Sequence, residues 1–398
     1  MVFCSGARRL VLNYSNVGTR HVKNPSADSP QRFYASLPRL TPQEVTTILQ
    51  ANEFTKDFEG PGSIKCYDSN QLASNNPIED TRSEAQCLLT KELAEHGNAK
   101  EFQMETALEN AFLRLDNDLS SEAMMKLSKK DAARTLAVAM SGAVAVIAHV
   151  DGPHLHVAGV GDCQAVLGVL SENDGWSTKI MTVEHNSDNR AEVERILSEH
   201  PNSERSTVIK MERLLGQLAP LRAMGDFRYK WTKEILQNVA VPHLGDGAIP
   251  PNYYTPPYLS AKPEVQYHRL TPRDKFLIIG TDGLWDLISP LEAVRLVGEH
   301  MSGKVTLSPL RLPKKNMKLS EINEMLLHRK EGLKKKPLDS NAATHLLRNA
   351  LGGTEYGIDH GKLSQLLTLP GEVVRVFRDD ITITVVYFDS EFLRHCPP

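Results

Sequence analysis

The 398-residue sequence lacks several features that would assign it to a functional class at once. It has no apolar run near the roughly 20 residues that cross a bilayer, so no membrane span is predicted. Its formal net charge of −3 implies no bulk attraction to nucleic acid. Its five cysteines lack the paired spacing of a metal site, which fits free thiols in a reducing compartment. No internal repeat and no glycine-rich phosphate loop are present either.

The first 27 residues form a segment with four basic residues, many hydroxyl and amide side chains, and no Asp or Glu. This composition is typical of a mitochondrial transit peptide, and residues 32–36 suit a processing site. We therefore predict a transit peptide at 1–36 and one folded domain at 37–398. The alternative is a disordered basic tail without a targeting role. The basic stretch at about 302–336 is predicted to be a solvated insertion.

The central feature of the sequence is a short apolar run that ends in an acid. Residues 276–279 have the length and β-branched content of a buried strand, and Asp282-Gly283 follows closely. A carboxylate at the end of a buried strand needs a partner, and a metal ion is a common one. Because Asp-Gly is also a common turn pair, these residues alone leave a turn and a ligand role open.

Acidic residues recur at three other predicted strand edges. If these strands belong to one β core, their carboxylates meet at one end and repel each other unless a cation binds, which predicts Mg²⁺ or Mn²⁺. Several independent turn acids are the alternative. The four positions are Glu79-Asp80, Asp162, Asp282 and Asp379-Asp380.

Five segments resemble, in the right order, the motifs of the metal-dependent protein serine/threonine phosphatases, the PPM family. They are residues 76–80 (NPIED), 160–165 (VGDCQA), 222–226 (RAMGD), 281–286 (TDGLWD) and 378–382 (RDDIT). The resemblance runs from about residue 40 to the end of the chain. It implies an α+β fold, a four-layer α-β-β-α sandwich of two antiparallel sheets.

The resemblance also implies roles for individual residues. Asp282 and Asp379 would bind metal directly, and Asp80 would bind metal or orient the attacking water as the catalytic residue. Asn75 stands where many members carry a phosphate-binding arginine, which marks a substrate-binding position. The remaining residues would form a network around the site: Glu79, Asp162, Arg222, Asp226, Gly283 and Asp380.

One family motif, of the type FDGHGG, has no counterpart in this sequence. It would follow the strand near residue 91 and supply the aspartate that bridges two metal ions. A missing segment at this point predicts an incomplete sheet with an exposed strand edge near Leu88, and a site with one ion instead of two.

Within the family, the likeness is to the pyruvate dehydrogenase phosphatase type, on residues 69–73, 249–263 and 341–346. This implies a mitochondrial matrix enzyme that dephosphorylates serine or threonine on the pyruvate dehydrogenase complex, by water that two metal ions activate. A regulatory subunit is a further expected partner. The alternative is a pseudophosphatase or truncated isoform that binds partners without turnover.

Overall fold

The computed structural model describes residues 2–8, 39–76, 78–84, 101–125, 129–312, 317–371 and 373–397. The predicted transit peptide beyond residue 8, the edge at Leu88 and the position near 91 lie outside the described residues. Within the described ranges, no helix combines the length and the apolar character needed to cross a bilayer.

Sixteen strands are described, and most of them form two six-stranded sheets with antiparallel pairing throughout. The strands are β1 (Val2–Arg8), β2 (Phe54–Asp57), β3 (Ile64–Leu72), β4 (Asp80–Glu84), β5 (Gly142–Asp151), β6 (His154–Val160), β7 (Gln164–Leu170), β8 (Trp176–Ile180), β9 (Ile209–Lys210), β10 (Arg213–Leu214), β11 (Met224–Gly225), β12 (Glu264–Arg269), β13 (Asp274–Gly280), β14 (Gly353–Thr354), β15 (Gly357–Ile358) and β16 (Ile381–Phe388). The first sheet has the order β12-β6-β5-β1-β4, and β11 also pairs with β5. The second has the order β2-β3-β16-β13-β7-β8.

Helices flank both sheets. They are α1 (Pro42–Gln50), α2 (Glu101–Met124), α3 (Lys129–Met140), α4 (Arg190–Glu199), α5 (Arg205–Val208), α6 (Lys233–Ile235), α7 (Val241–Leu244), α8 (Asp282–Trp285), α9 (Pro290–Met301), α10 (Leu319–Leu333), α11 (Ala342–Gly352), α12 (His360–Leu367), α13 (Val374–Phe377) and α14 (Ser390–Arg394). Several begin as their sequences predict. At α1, Thr41 accepts a hydrogen bond from the Glu44 N–H, and the Glu44 carboxylate accepts one from the Thr41 N–H.

The layers follow from the alternation of apolar residues along the central strand β13. Phe276 and Ile278 pack on one face of the second sheet, in a cluster with apolar residues of α1, α9, α11 and α12. Leu277 and Ile279 point the other way, into a cluster with residues of β5 and β6 from the first sheet. The outer face of the first sheet packs on α2. These contacts confirm the predicted four-layer α-β-β-α sandwich.

The charged stretch 121–131 is helical at both ends, because α2 extends to Met124 and α3 begins at Lys129. Apolar residues at helical spacing explain this, because Ala123, Leu136 and Ala139 pack into one buried cluster with the loops after α4.

The N-terminal segment, which we had placed before the folded domain, supplies β1 between β4 and β5 in the first sheet. The incomplete sheet edge near Leu88 lies outside the described residues and stays a prediction. The targeting role of residues 1–36 stays a prediction.

Candidate active site

Strand β13 ends at the candidate site, where its backbone passes directly into the short helix α8. The Thr281 N–H donates to the Thr382 carbonyl at 3.1 Å, and the Thr382 N–H returns a bond to Thr281 Oγ1 at 3.0 Å. Asp282 follows, and its Oδ1 accepts the Gly283 N–H at 2.9 Å. The ends of β13 and β16 are thereby joined where Asp282 and the Asp379-Asp380 pair stand.

Gly283 allows the close approach of these two segments. A Cβ atom at Gly283 would lie 2.1 Å from the Asp380 carbonyl oxygen, which is far inside van der Waals contact. The turn therefore needs glycine for lack of space.

Replacing Gly283 by alanine should push α8 away from the segment that carries Asp379 and Asp380. We expect a stability loss of about 1–3 kcal/mol, typical of overpacking, together with weaker Mn²⁺ binding. Urea unfolding and titration calorimetry with MnCl₂ measure the two effects. Gly62→Ala is the matched control, because nothing lies within 4 Å of its Cβ position. Gly303→Ala is less suitable, because the φ of Gly303 is +69° and alanine would be strained there. Unchanged Mn²⁺ affinity in Gly283→Ala would contradict this account.

Asp380 anchors the loop that precedes β4. Its Oδ1 accepts the backbone N–H groups of Ser74 and Asn75, and its Oδ2 accepts the Glu79 N–H at 2.7 Å and Asn75 Nδ2 at 3.0 Å. Burial opposes ionisation, but the hydrogen bonds from Asn75, Ser74 and Glu79 lower the pKa of Asp380. Asp380 thus ties the β4 loop to β16, and the Asn75 side chain lies beside it.

Asp80 is a second buried acid of this edge. Its Oδ2 accepts a hydrogen bond from Thr281 Oγ1 at 2.7 Å. Burial, together with the negative charges of Asp380 and Asp282, raises the pKa of Asp80 to about 7, against hydrogen bonds from Thr281 and Thr382 that lower it. The structure therefore brings Asp282 and Asp380 close enough to Asp80 to repel its charge.

Asp379 and Glu79 lie in the same region. The Asp379 carbonyl accepts from Ser74 Oγ at 2.7 Å, and its Oδ1 accepts the Asp380 N–H at 2.8 Å. Glu79 forms a 3.4 Å ion pair with Arg375. Arg378 donates to Ser74 Oγ at 2.6 Å and to the Ala73 carbonyl at 2.8 Å, and burial lowers its pKa to about 10.

The other predicted network residues belong to the first sheet and its loops. Arg222 forms a bidentate ion pair with Glu192 of α4, with both N–O distances 2.8 Å, and also donates to the Lys262 carbonyl. The Asp226 N–H donates to the Ser141 carbonyl, and a Cβ at Gly142 would collide with the Asp226 carboxylate. Asp162 follows Gly161, whose φ of +94° makes the turn after β6.

Comparisons with known proteins show the family of this chain. Residues 64–322 match the protein phosphatase 2C family. Pyruvate dehydrogenase [acetyl-transferring]-phosphatase 1, mitochondrial, from Bos taurus is 37% identical over 461 aligned residues, covering 92% of this chain and 85% of that protein. The chain belongs to the protein phosphatase 2C family. The corresponding phosphatase 2 from Homo sapiens is also 37% identical, over 89% of this chain and 84% of that protein.

The first alignment is longer than this chain. Its 461 positions exceed the 398 residues of this chain, so the bovine relative carries residues within the matched span that this family member lacks. Among solved structures, serine-threonine phosphatase 2C from Toxoplasma gondii is 16% identical, with a TM-score of 0.44, over 85% of this chain and 99% of that one.

Phosphatases of the 2C family depend on Mg²⁺ or Mn²⁺, and the acidic edge suits such a cation in part. Carboxylate oxygens are the ligands these ions prefer, and a cation would offset the charges of Asp380 and Asp282, which together with burial raise the pKa of Asp80. Within the described ranges, however, no three His, Cys, Asp or Glu side chains form a ready ligand group. The residues thus fit an ion held by one or two carboxylates and completed by water and phosphate oxygens.

Sequence reasoning missed several residues that position this 2C-type site. Thr281 stands next to Asp282 in the motif, so its position could have indicated a role. Gln71 and Ser74 gave no signal, because their partners Thr382 and Asp379 lie about 300 positions away in the chain. His185 is fully buried and accepts the Gly161 N–H at Nδ1, a contact across 24 positions that no local pattern in the sequence indicates.

Acidification should destabilise this 2C-type fold through His185. Burial and the charge of Arg222 lower the pKa of His185 to about 4, from an ordinary value of 6.5. Below pH 6.5 His185 binds a proton in the unfolded chain but stays neutral in the folded chain. The stability of the fold therefore falls as the pH drops from 6.5 to 4. We expect this group to account for on the order of 2 kcal/mol over that window.

Urea unfolding of the wild-type protein (the unvaried chain) and of His185→Gln at pH 7.5, 6.0 and 5.0 measures this effect. The variant should lose less stability than the unvaried chain between pH 7.5 and 5.0. His243→Gln is the control, since it removes a largely exposed histidine on α7. Equal pH slopes for His185→Gln and the unvaried chain would contradict the assignment.

Proposed function

We propose that this chain is a metal-dependent serine/threonine phosphatase of the mitochondrial matrix that acts on phosphorylated pyruvate dehydrogenase. One observation carries the chemistry: Asp80, Asp282 and the Asp379-Asp380 pair gather at one edge of the sandwich. The names of the 37% identical relatives support the substrate and the mitochondrial location. A regulatory subunit stays a prediction of the resemblance.

In this proposal Asp282 and Asp379 would hold Mg²⁺ or Mn²⁺. When bound, such a cation neutralises phosphoryl charge and makes water a stronger acid. Asp80 orients the attacking water, and Thr281 fixes the carboxylate of Asp80 through its 2.7 Å hydrogen bond. A bond forms from the water oxygen to phosphorus as the bond from phosphorus to the serine or threonine oxygen breaks, and a proton from the water ends on that leaving oxygen. Asn75, held by Asp380, stands at the predicted phosphate position.

Phosphate release from phosphorylated pyruvate dehydrogenase tests this proposal. The purified full chain is assayed with Mn²⁺, with Mg²⁺ and with EDTA, and a phosphotyrosine peptide serves as control substrate. We expect release from phosphoserine that requires the metal, and none from phosphotyrosine. Absence of release with either metal, from a chain shown to be folded, would reject the proposed activity.

A second candidate, a pseudophosphatase, is favoured by the missing motif. The relative's extra residues within the aligned span and the lack of a three-residue ligand group in the described part of the chain both support it. Such a protein binds pyruvate dehydrogenase without turnover. Co-sedimentation with the phosphorylated complex but no phosphate release would select this candidate, and sequencing the transcript across Lys91 and Glu92 would identify a truncated isoform.

A further inference from the structure

Strand β4, which begins with Asp80, has an unusual partner. Among the described strands it pairs with β1 alone, in a register that places Asp80 opposite Gly6 and Glu84 opposite Val2. On its other edge β1 pairs with seven residues of β5, from Gly142 to Ala148. The N-terminal strand is therefore the connection between the Asp80 strand and the rest of the first sheet.

No other described strand can replace this connection. Neighbouring strands lie about 4.8 Å apart, so without β1 the Asp80 strand would stand roughly 10 Å from β5, too far for ladder hydrogen bonds. The sequence of β1 suits an interior position, because Val2 to Ala7 carries no charge and consists of apolar or small residues.

Asp80 also connects the two sheets. Its side chain accepts from Thr281 at the end of β13, and its carbonyl accepts a 3.4 Å bond from Gln71 of β3, both in the second sheet. Its backbone belongs to β4 and is held by β1. Displacing β1 should therefore displace Asp80 through the pairing of β1 with β4.

We infer that β1 positions Asp80, so that the chain needs residues 2–8 to bind its cation and to turn over substrate. The catalytic part of this inference rests on the proposed function, whereas the structural part does not. The same residues lie within the predicted transit peptide, and cleavage near residue 36 would remove the strand. The chain that retains its N-terminus is then the competent form.

Proline substitutions test the strand without shortening the chain. Neighbouring residues of an interior antiparallel strand bond to opposite neighbours, so Cys4→Pro and Ser5→Pro each remove one N–H, one on either side. Cys4→Val and Ser5→Thr are matched controls with good β propensity. Hydrogen exchange is followed at residues 80–84, at 142–148, and at 276–279 of β13 as a folding control.

In the proline variants we expect exchange in β4 and in the β1-facing amides of β5 to quicken at least about tenfold, with β13 unchanged. The Kd for MnCl₂ alone should rise about tenfold or more, as when supports of metal ligands are lost. The matched controls should resemble the unvaried chain. Equal exchange and equal Mn²⁺ affinity in proline variants and controls would overturn the inference.

Deletion of residues 2–8 provides a second test. A synthetic peptide with the sequence of residues 2–8, added in excess to the deleted chain, should restore protection in β4 and Mn²⁺ binding, while a scrambled peptide should not. If the full chain protects β4 and binds Mn²⁺ but releases no phosphate, the proposed function fails and the inference stands. If the full chain is active and the deleted chain equals it in β4 protection, Mn²⁺ binding and phosphate release, the inference fails and the proposed function stands.

Discussion

Asp282→Asn should lower Mn²⁺-dependent phosphate release by at least about a hundredfold, with little change in stability. Asparagine has almost the same volume as aspartate, and its Oδ1 can still accept the Gly283 N–H that Asp282 accepts at 2.9 Å. The substitution removes the negative charge alone. Because the proposed function assigns cation binding to that charge, the Kd for Mn²⁺ should rise while the fold remains.

The measurement is a steady-state assay over a series of Mn²⁺ concentrations, combined with thermal unfolding. Asp118→Asn is the matched control, because it removes an exposed carboxylate on α2, and it should keep the activity of the unvaried chain. If Asp282→Asn reaches the unvaried rate at low Mn²⁺ concentration, Asp282 is a turn residue, which is the alternative that its sequence context left open.

The sequence predicted most of the elements around the site because their signals are local. The apolar run at 276–279 is part of β13, and the 151–152 turn joins β5 to β6, as Asp-Gly between apolar runs indicates. The capping residues of α1 also lie within four positions of each other. Such patterns need no knowledge of distant parts of the chain.

What the sequence could not provide is the set of contacts between distant segments. Asp379 and Asp380 are adjacent acids with the same intrinsic chemistry, yet Asp380 is enclosed by N–H groups from residues 74–79. The need for glycine at 283 likewise comes from the Asp380 carbonyl, 97 positions away. Similarly, the uncharged residues of β1 gave no periodic signal, and its position depends on two strands that only the fold places beside it.

Arg222→Met should destabilise the protein by about 3–5 kcal/mol, the largest stability loss that we expect. Glu192 is only 4% exposed and loses both guanidinium hydrogen bonds. Burial alone would raise the pKa of Glu192, but hydrogen bonds from Arg222 and Arg195 lower it to about 2. Removing Arg222 leaves a buried carboxylate with one cation instead of two.

Urea unfolding at pH 7.5 measures the loss of stability in Arg222→Met, and an unchanged m-value would show that the variant still unfolds from a compact state.

A double variant without either charge separates two quantities. One is the net contribution of the ion pair to stability, and the other is the cost of leaving Glu192 buried without Arg222. In Arg222→Met/Glu192→Leu no buried carboxylate remains, and Arg195 keeps its 2.9 Å ion pair with Glu199. The double variant should therefore be more stable than Arg222→Met alone, because replacing a buried ion pair by apolar residues is often neutral. If instead the double variant loses the sum of the two single losses, the residues act independently. The 222–226 motif would then be held by the Arg222 bond to the Lys262 carbonyl and the backbone bond between Ala223 and Ser260.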